Sequence, residues 1–384
     1  MELPKIDLSE LWLVFGPAWL VMMADVDSAS IITAMQTGAS TKYEFIIVLL
    51  LLVIPLYFIQ EVAGRVGAAT KKGLGHLIRE NFSRKIAVAL SLPMAAADFL
   101  SYVVNYAGIA IGASILGVPP IISIPVAYAI HILIVFKKRY ESAEKILLAV
   151  SVIMVVAYLA FMRGGISSYP LLPSSLDDSF FFLLAANVGA VIMPFMLFYQ
   201  TTATAQKKFH SVQATRIETI VGAFASQAIM IAIVVVSSSL AFGPSFTSSD
   251  GIANAIMGIG GGVAPFIFAI GLVAAGFLAL VVISLASAWG VAEALDIKRD
   301  GWFKIYVLES LPAAAVPLLY PHLVSLTLSL MVALVFVLIG PVIAMGLLAQ
   351  DERLMGRHTL RGWGRIAFWG SVLAVIACGL AAFI

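Results

Sequence analysis

Residues 11–33 read LWLVFGPAWLVMMADVDSASIIT, an apolar run that is long enough to cross a bilayer and carries Asp25 and Asp27 near its middle. Even on lenient insertion scales, a charged side chain at the centre of a membrane helix costs about 3 kcal/mol. A chain that retains two carboxylates there has a use for them, and the obvious uses are cation binding and proton relay. We therefore interpret this segment as a broken membrane span with a functional centre.

The composition of the whole chain is that of a membrane protein. Of its 384 residues, 61% are hydrophobic and only 11% are charged, whereas soluble domains carry about 25% charged residues. The single cysteine, Cys378, excludes a disulfide framework and a cysteine-rich metal site. The sequence has no HExxH motif, nucleotide-binding loop or paired nucleophile and base, so we do not expect an enzyme. It predicts an all-α integral membrane protein.

Apolar segments of membrane-spanning length, roughly 17–25 residues, recur along the chain. There are about eleven, at residues 11–38, 43–64, 86–115, 120–136, 143–162, 179–203, 217–241, 264–292, 303–320, 322–349 and 364–384. With the N-terminus in the cytoplasm, 21 of the 23 Lys and Arg residues lie on the cytoplasmic side, and only Lys42 and Arg163 lie outside. This asymmetry predicts a cytoplasmic N-terminus and an extracytoplasmic C-terminus. The basic loops are topology signals in this interpretation, and we expect no nucleic-acid partner.

No linker or soluble domain interrupts the chain, so residues 1–384 are predicted to form one transporter domain. Five spans are an odd number, which inverts a second copy of the same unit in the membrane. Residues about 11–162 and about 179–349 are therefore predicted to be two inverted five-helix repeats, with residues 364–384 as an extra helix. Secondary transporters of this plan bind substrate at the midplane, between discontinuous helices of the two halves.

The sixth span has an interruption that matches the first. Gly189 and Pro194 lie five residues apart inside an apolar run. Proline removes a backbone hydrogen bond and strains the preceding turn, so carbonyl groups near Ala190 are predicted to be free. The two interrupted spans are the expected position of the substrate site.

Short motifs in these two spans resemble those of the Nramp family of divalent-metal transporters. That family typically reads GPG, DPGN and QAGA along its first span and A-x-x-MPH in its sixth. The corresponding stretches here are GPA at 16–18, DSAS at 27–30, QTGA at 36–39 and AVIMPF at 190–195. Three further stretches are closer to a divergent Nramp-related branch that includes magnesium transporters: QE at 60–61, AWGVAEA at 288–294 and DERLMG at 351–356.

The resemblance implies a LeuT-like fold and alternating access to a metal site between spans 1 and 6. Asp27 takes the place of the family's metal-binding aspartate, and Ser30 takes the place of its asparagine. Ala190 is implied to supply a backbone carbonyl, and Met193 a thioether. The divalent metal is then a transported substrate, and no resident cofactor is expected. The resemblance also implies a multi-pass protein of the plasma membrane, here expected to be a monomer within the lipid bilayer.

Departures from the family pattern concern proton movement. Phe195 replaces a histidine that the family links to protons, and Ser101 stands where a second acid is often found in span 3. Both departures argue against proton coupling. Asp98 keeps one of the family's acidic relay positions, with Asn105 two turns further on, and these two residues are the candidate proton or ion relay. His131 is expected to lie at a membrane interface.

Met193 is the residue that best indicates which metal is carried. A thioether is a soft ligand that suits transition metals and offers nothing to hard Mg²⁺, so the sequence favours Mn²⁺ or another transition metal. One alternative is a Mg²⁺ carrier in which Met193 only packs and the metal keeps most of its water. The sequence is also compatible with a LeuT-fold carrier of a small organic solute and with a passive channel.

Asp25 is expected to join the site on one condition. It lies two residues before Asp27, which on an intact helix points it about 200° away. Asp25 can reach a metal bound at Asp27 only if the backbone unwinds between them; otherwise it lines an access path or accepts a hydrogen bond behind the ligands.

Overall fold

The computed structural model describes residues 16–136, 169–207, 211–240, 254, 256–257, 262–298, 301–320 and 323–383. The fifth predicted span, at 143–162, lies outside the described residues. The division into two inverted repeats, which includes that span, stays a prediction.

The described residues form α-helices and one short 3₁₀ turn, and they include no β-strand. The helices are α1 (Pro17–Asp25), α2 (Ser28–Thr41), α3 (Ile46–Thr70), α4 (Leu74–Asn81), α5 (Arg84–Ile115), α6 (Pro120–Phe136), α7 (Asp178–Val191), α8 (Pro194–Gln206), α9 (Val212–Ser237), α10 (Ala264–Ala294), α11 (Trp302–Leu319), α12 (Leu323–Gln350), α13 (Glu352–Met355) and α14 (Gly362–Ala381). The prediction of an all-α protein is confirmed.

Seven helical stretches in the described part of the chain are long and apolar enough to cross a membrane, and α7 and α8 together make one of them. The bent pair of α1 and α2 makes an eighth, and α6 is a shorter apolar helix. These stretches follow the predicted segments closely, with three differences. The predicted ninth span, at 303–320, forms α11 but is not among the stretches that are long and apolar enough to cross a membrane. Helix α3 continues to Thr70, six residues beyond its predicted end, and the short helix α4 follows it.

Helix α4 is amphipathic, which is why a search for apolar segments did not find it. One face buries Leu74, Leu77 and Ile78, and the other carries Glu80, which pairs at 2.6 Å with Lys72 just before the helix. The hydrogen bond from the Lys72 ammonium holds the pKa of Glu80 below its usual value. Helix α4 therefore lies along one end of the bundle instead of crossing it.

The predicted break in the first span is present. Helix α1 ends at Asp25 and helix α2 begins at Ser28, with the two axes inclined by 48°. Asp27 has an extended backbone (φ −81°, ψ 177°) and is the N-cap of α2, where its carboxylate accepts a hydrogen bond from the Ser30 N–H. Aspartate is among the strongest N-cap residues, so Asp27 starts a new helix without the Pro-Gly pair of the family pattern.

The second interruption lies between α7 and α8. Ile192 and Met193 have extended backbones, and Pro194 is the first residue of α8, where its missing N–H is not needed. This pair of helices is bent less than the first pair. Gly189, before the break, lets α7 lie directly on α12, since a Cβ there would be 1.9 Å from the Met331 carbonyl oxygen.

The broken helices occupy the centre of the bundle. Every residue of α1 is buried, as are almost all residues of α2 and α8. Helices α5 and α10 form the most extensive helix pair, and α9 packs along α1, α2 and α3. The polar groups at the two breaks are therefore enclosed by neighbouring helices.

Candidate metal site

The two breaks meet. The Ser30 hydroxyl at the start of α2 donates a hydrogen bond to the Ala190 carbonyl oxygen near the end of α7, at 2.9 Å. Asp27, Ser30, Ala190 and Met193 are all fully or almost fully buried. Two oxygen atoms that are candidate metal ligands, 160 residues apart in sequence, are thus in contact in the fold.

Asp27 is fixed by partners on two sides. Its Oδ1 accepts from the Ser30 N–H at 2.7 Å, and its Oδ2 accepts from the Asn105 side chain at 2.8 Å. Asn105 on α5 also accepts from the Ser28 N–H at 3.2 Å. The structure therefore places Asn105 against Asp27, two turns away from Asp98, with which sequence reasoning had grouped it.

Close helix packing holds the first break in place. The Ser28 hydroxyl donates to the Leu272 carbonyl oxygen of α10 at 3.0 Å. Gly108 on α5 and Gly276 on α10 leave the room that Ser28 occupies, since a Cβ at either position would lie within 2.6 Å of its side chain. Asp27 is thus presented from a segment wedged between the two helices that pack together most extensively.

Asp25 meets the condition set by the sequence. The backbone leaves the helix at Val26, immediately between the two aspartates. Asp25 is buried, lies close enough to Asp27 for their charges to act on each other, and has no hydrogen-bond partner for its Oδ1 among the described residues. No described contact joins Asp25 to Ser30 or Ala190.

A second thioether at the α8 break was missed by sequence reasoning. Met196 is fully buried, and its sulfur accepts a hydrogen bond from the Met193 N–H at 3.3 Å. The signal was available, because Met196 is the third residue of a helix that starts at Pro194, and side chains at this position reach back to the N-cap. Two sulfur atoms therefore lie at the start of α8.

The site has acidic charge without a basic partner. In the described part of the chain, no ion pair joins Asp25 or Asp27 to Lys, Arg or His. A buried carboxylate needs compensation by a cation, a proton or several hydrogen bonds. Carboxylate, hydroxyl and carbonyl oxygens are ligands of hard divalent cations, and thioethers add affinity for softer ones.

The expectation that His131 lies at a membrane interface is wrong. Its side chain is fully buried and makes two hydrogen bonds, at 2.8 Å with the Tyr106 hydroxyl and at 2.7 Å with the Ser284 hydroxyl. Helix α6 packs against α5, α10 and α11, so this histidine points into the bundle. The other relay candidate, Asp98, is buried on α5 with neither carboxylate oxygen hydrogen-bonded among the described residues.

Comparisons with known proteins agree with this architecture. The family model Nramp, described as natural resistance-associated macrophage protein-like, matches residues 18–384. The divalent metal cation transporter MntH of Staphylococcus haemolyticus is 24% identical over 411 residues, which cover 95% of this chain and 90% of that protein.

Two solved structures establish the fold. A mutant of the manganese transporter of Eremococcus coleocola superposes with a TM-score of 0.82 at 15% identity, covering 99% of this chain and 88% of that one. MhsT in complex with L-phenylalanine, a LeuT-fold protein, superposes with a TM-score of 0.60 at 12% identity, covering 96% of this chain and 98% of that one. The fold is LeuT-like, and the relatives are membrane transporters, not enzymes. With a family model that matches nearly its whole length, the chain belongs to the Nramp family.

Proposed function

We propose that this protein carries a divalent metal cation across the plasma membrane by alternating access, with Mn²⁺ as the preferred ion. The metal is substrate and binds where the two helix breaks meet. The positive-inside asymmetry of the loops supports a cytoplasmic N-terminus, and the relatives named as divalent metal cation transporters support the substrate class.

The observation that carries this proposal is the contact between Ser30 and Ala190. It joins the break that bears the Asp27 carboxylate to the break that bears the thioethers. Among the described residues, no Lys, Arg or His forms an ion pair with Asp25 or Asp27. A metal that enters between them replaces the 2.9 Å hydrogen bond with two bonds to itself, from the hydroxyl and the carbonyl oxygen. Asp27 supplies the negative charge, and Asp25 supplies a second one close by.

Mn²⁺ is favoured by the mixture of donors. Oxygen ligands suit both Mg²⁺ and Mn²⁺, whereas sulfur adds affinity for the transition metal. Met193 occupies the position of the family's thioether ligand, and Met196 lies against its backbone. Two polarisable sulfur atoms at the break thus support a preference for Mn²⁺ over Mg²⁺.

Mg²⁺ is the second candidate, and one observation favours it. The side chains of Met193 and Met196 each face the backbone N–H of the other. In this arrangement the sulfur atoms cap the start of α8, and the metal takes its ligands from oxygen and water. The protein then binds a largely hydrated Mg²⁺, as Mg²⁺ sites usually do.

The deciding experiment is uptake into proteoliposomes with Mn²⁺ and Mg²⁺ offered singly and in competition. Wild type, Asp27→Asn and Met193→Leu are compared at equal reconstituted amounts. We expect Mn²⁺ uptake in the wild type, none in Asp27→Asn, and a shift towards Mg²⁺ in Met193→Leu. If the wild type takes up neither ion, the proposal that the protein is a metal carrier is rejected. Equal selectivity in wild type and Met193→Leu rejects the thioether ligand and favours the Mg²⁺ carrier.

A further inference from the structure

The segment that connects α12 to α14 carries a row of arginines. Both helices are long and apolar enough to cross a membrane, so their connection lies at one membrane surface. Residues 351–365 include two acids and four arginines, which gives the segment a net positive charge. All four arginine side chains are exposed: Arg353, Arg357, Arg361 and Arg365.

The backbone of this segment is fixed by the fold. Asp351 is the N-cap of α13 and accepts a hydrogen bond from the Arg353 N–H at 2.8 Å. Met355 and Leu360 are buried, and the Leu360 N–H donates to the Ala349 carbonyl oxygen of α12 at 2.8 Å. The arginines are therefore presented from a backbone that packs against the bundle.

The acids of the segment neutralise the arginines only in part. Glu352 pairs with Arg361 at 2.7 Å, but both side chains are more than half exposed, and the other acid lies 3.7 Å from Arg353. No ion pair among the described residues reaches Arg357 or Arg365. Because exposed ion pairs contribute little stability, an incoming anion can compete for these guanidinium groups.

A histidine in the same segment adds no charge to it. Arg357 donates from Nε to His358 Nε2 at 3.2 Å. Burial lowers the pKa of His358, and the charges of Arg357, Arg65 and Arg216 lower it further, so the imidazole is neutral at physiological pH. The positive charge of the segment thus comes from arginine, which stays protonated throughout the physiological pH range.

Other basic side chains near the helix ends are more fully compensated. Buried Glu61 pairs with Arg65 at 2.8 Å and with Arg216 at 2.6 Å, and Glu80 pairs with Lys72. A topology signal requires only that basic residues lie on one side of the membrane. The surplus of positive charge on a fixed backbone at residues 351–365 goes beyond that requirement.

Helix α14 offers lipid a continuous apolar surface next to these arginines. It is the least buried of the seven membrane-spanning stretches in the described part of the chain. Its 20 residues extend about 30 Å, which is the thickness of the hydrocarbon core. One stripe at helical spacing is more than half exposed along this length, and it consists of Trp363, Ile366, Leu373 and Leu380. Trp363 lies at the arginine end, as expected of a tryptophan at the membrane interface.

We propose that an anionic phospholipid binds at the start of α14, with its phosphate against Arg357, Arg361 and Arg365 and an acyl chain along the stripe that begins at Trp363. Guanidinium groups bind phosphate oxygens in a bidentate manner, and clusters of basic residues at a membrane surface attract anionic lipids. Charge selects this occupant over a second copy of the chain, because a copy in the same orientation brings its own arginines to the same surface. Metal binding has no part in this site, so the proposal goes beyond the proposed function.

The direct test uses the fluorescence of Trp363 and phospholipids with brominated acyl chains, which quench tryptophans that they contact. Subtracting the signal of a matched Trp363→Phe protein isolates this residue from the other five tryptophans. Vesicles of phosphatidylcholine receive increasing fractions of brominated phosphatidylglycerol or brominated phosphatidylcholine. We expect Trp363 to be quenched at lower fractions of the anionic lipid. Equal quenching by the two lipids in the wild type overturns the proposal.

Arg361→Gln combined with Arg365→Gln is expected to lower the preference for the anionic lipid, by about fivefold for each arginine lost. The matched control is Arg84→Gln combined with Lys85→Gln, which removes two exposed charges at the start of α5 and is expected to keep the preference. If both double variants lose it equally, the effect belongs to the overall charge of the protein and the proposal is overturned.

A second copy of the chain on the stripe would give a different result. Trp363 would then resist quenching by both lipids, and native mass spectrometry would show a dimer; this outcome also overturns the proposal. Neither measurement requires metal transport. A failure of the proposed function in the uptake assay therefore leaves the test of the lipid site intact.

Discussion

The break between α1 and α2 and the break between α7 and α8 lie against each other, yet they differ in geometry and in chemistry. The first is bent by 48° and starts its second helix with a carboxylate cap. The second is straighter and starts its second helix with proline, with Met193 before it and Met196 two residues after it. A hydroxyl of the first is bonded to a carbonyl of the second.

Under the proposed function, this difference separates two tasks within one site. Charge, and with it the strength of cation binding, comes from the first break, because the described residues of the second break include no acid near Met193. Soft donors, and with them discrimination between metals, come from the second break. Affinity and selectivity are therefore expected to respond to different substitutions.

The largest effect is expected from Asp27→Asn. Asparagine is as good an N-cap as aspartate, so the break keeps its shape while the site loses a charge. Removing one charge from a buried ionic contact costs about 3–5 kcal/mol, and we expect Mn²⁺ and Mg²⁺ binding to weaken together by at least about 100-fold. Titration calorimetry measures both.

Asp25→Asn is the matched comparison, since it removes the other acid of the same break. If Asp25→Asn lowers the metal affinity as much as Asp27→Asn does, Asp25 contributes to metal binding as strongly as Asp27. A loss for one metal alone contradicts the separation of charge from selectivity.

A second substitution removes the partner of Asp27 and leaves the aspartate itself in place. Asn105→Leu deletes the 2.8 Å hydrogen bond to Asp27 Oδ2, and the loss of such an orienting partner typically costs 10–100-fold in metal affinity. The control is Asn187→Leu, which deletes a 2.8 Å hydrogen bond to Thr37 at a distance from the carboxylate. Equal losses in the two variants, measured by calorimetry, contradict a specific role for Asn105.

Selectivity is tested at the second break. Leucine replaces methionine with little change of volume, at a stability cost below about 1.5 kcal/mol. We expect Met193→Leu to lower the Mn²⁺ to Mg²⁺ affinity ratio by roughly tenfold, which corresponds to about 1.4 kcal/mol, with Mg²⁺ affinity unchanged. Competition uptake measures the ratio, and Met345→Leu, at a fully buried position on α12, controls for packing.

The sequence predicted features that depend on local chemistry. Apolar length located the helices, and the carboxylates of the first span and the Gly189–Pro194 pair of the sixth located the two breaks. In the structure Asp27 is an N-cap and Pro194 is a first helical residue. Each of these two residues affects the backbone within one helical turn of itself, so the neighbouring sequence is sufficient to predict its effect. The amphipathic α4 was missed because the search used apolar length alone.

Contacts between distant segments could not be predicted in this way. Asn105 reaches Asp27 across 78 residues, and His131 meets Ser284 across 153. Hydrophobic periodicity says that α6 is apolar but not which of its neighbours covers His131. Glu309 was unassigned for the same reason, since its partner Ser287 belongs to another helix.

The smallest expected effect belongs to the contact that joins the two breaks. Ser30→Ala removes the hydroxyl that donates to Ala190, and one such hydrogen bond or ligand is worth about 1 kcal/mol, or a factor of about five in affinity. If the hydroxyl binds the metal, calorimetry shows Mn²⁺ and Mg²⁺ affinity falling by that factor alike, because oxygen does not discriminate between them. If the hydroxyl only holds the breaks together, the freed Ala190 carbonyl binds metal without competition, and the affinity rises. Whether the metal affinity falls or rises therefore decides whether the Ser30 hydroxyl is a metal ligand or only a contact that holds the two breaks together.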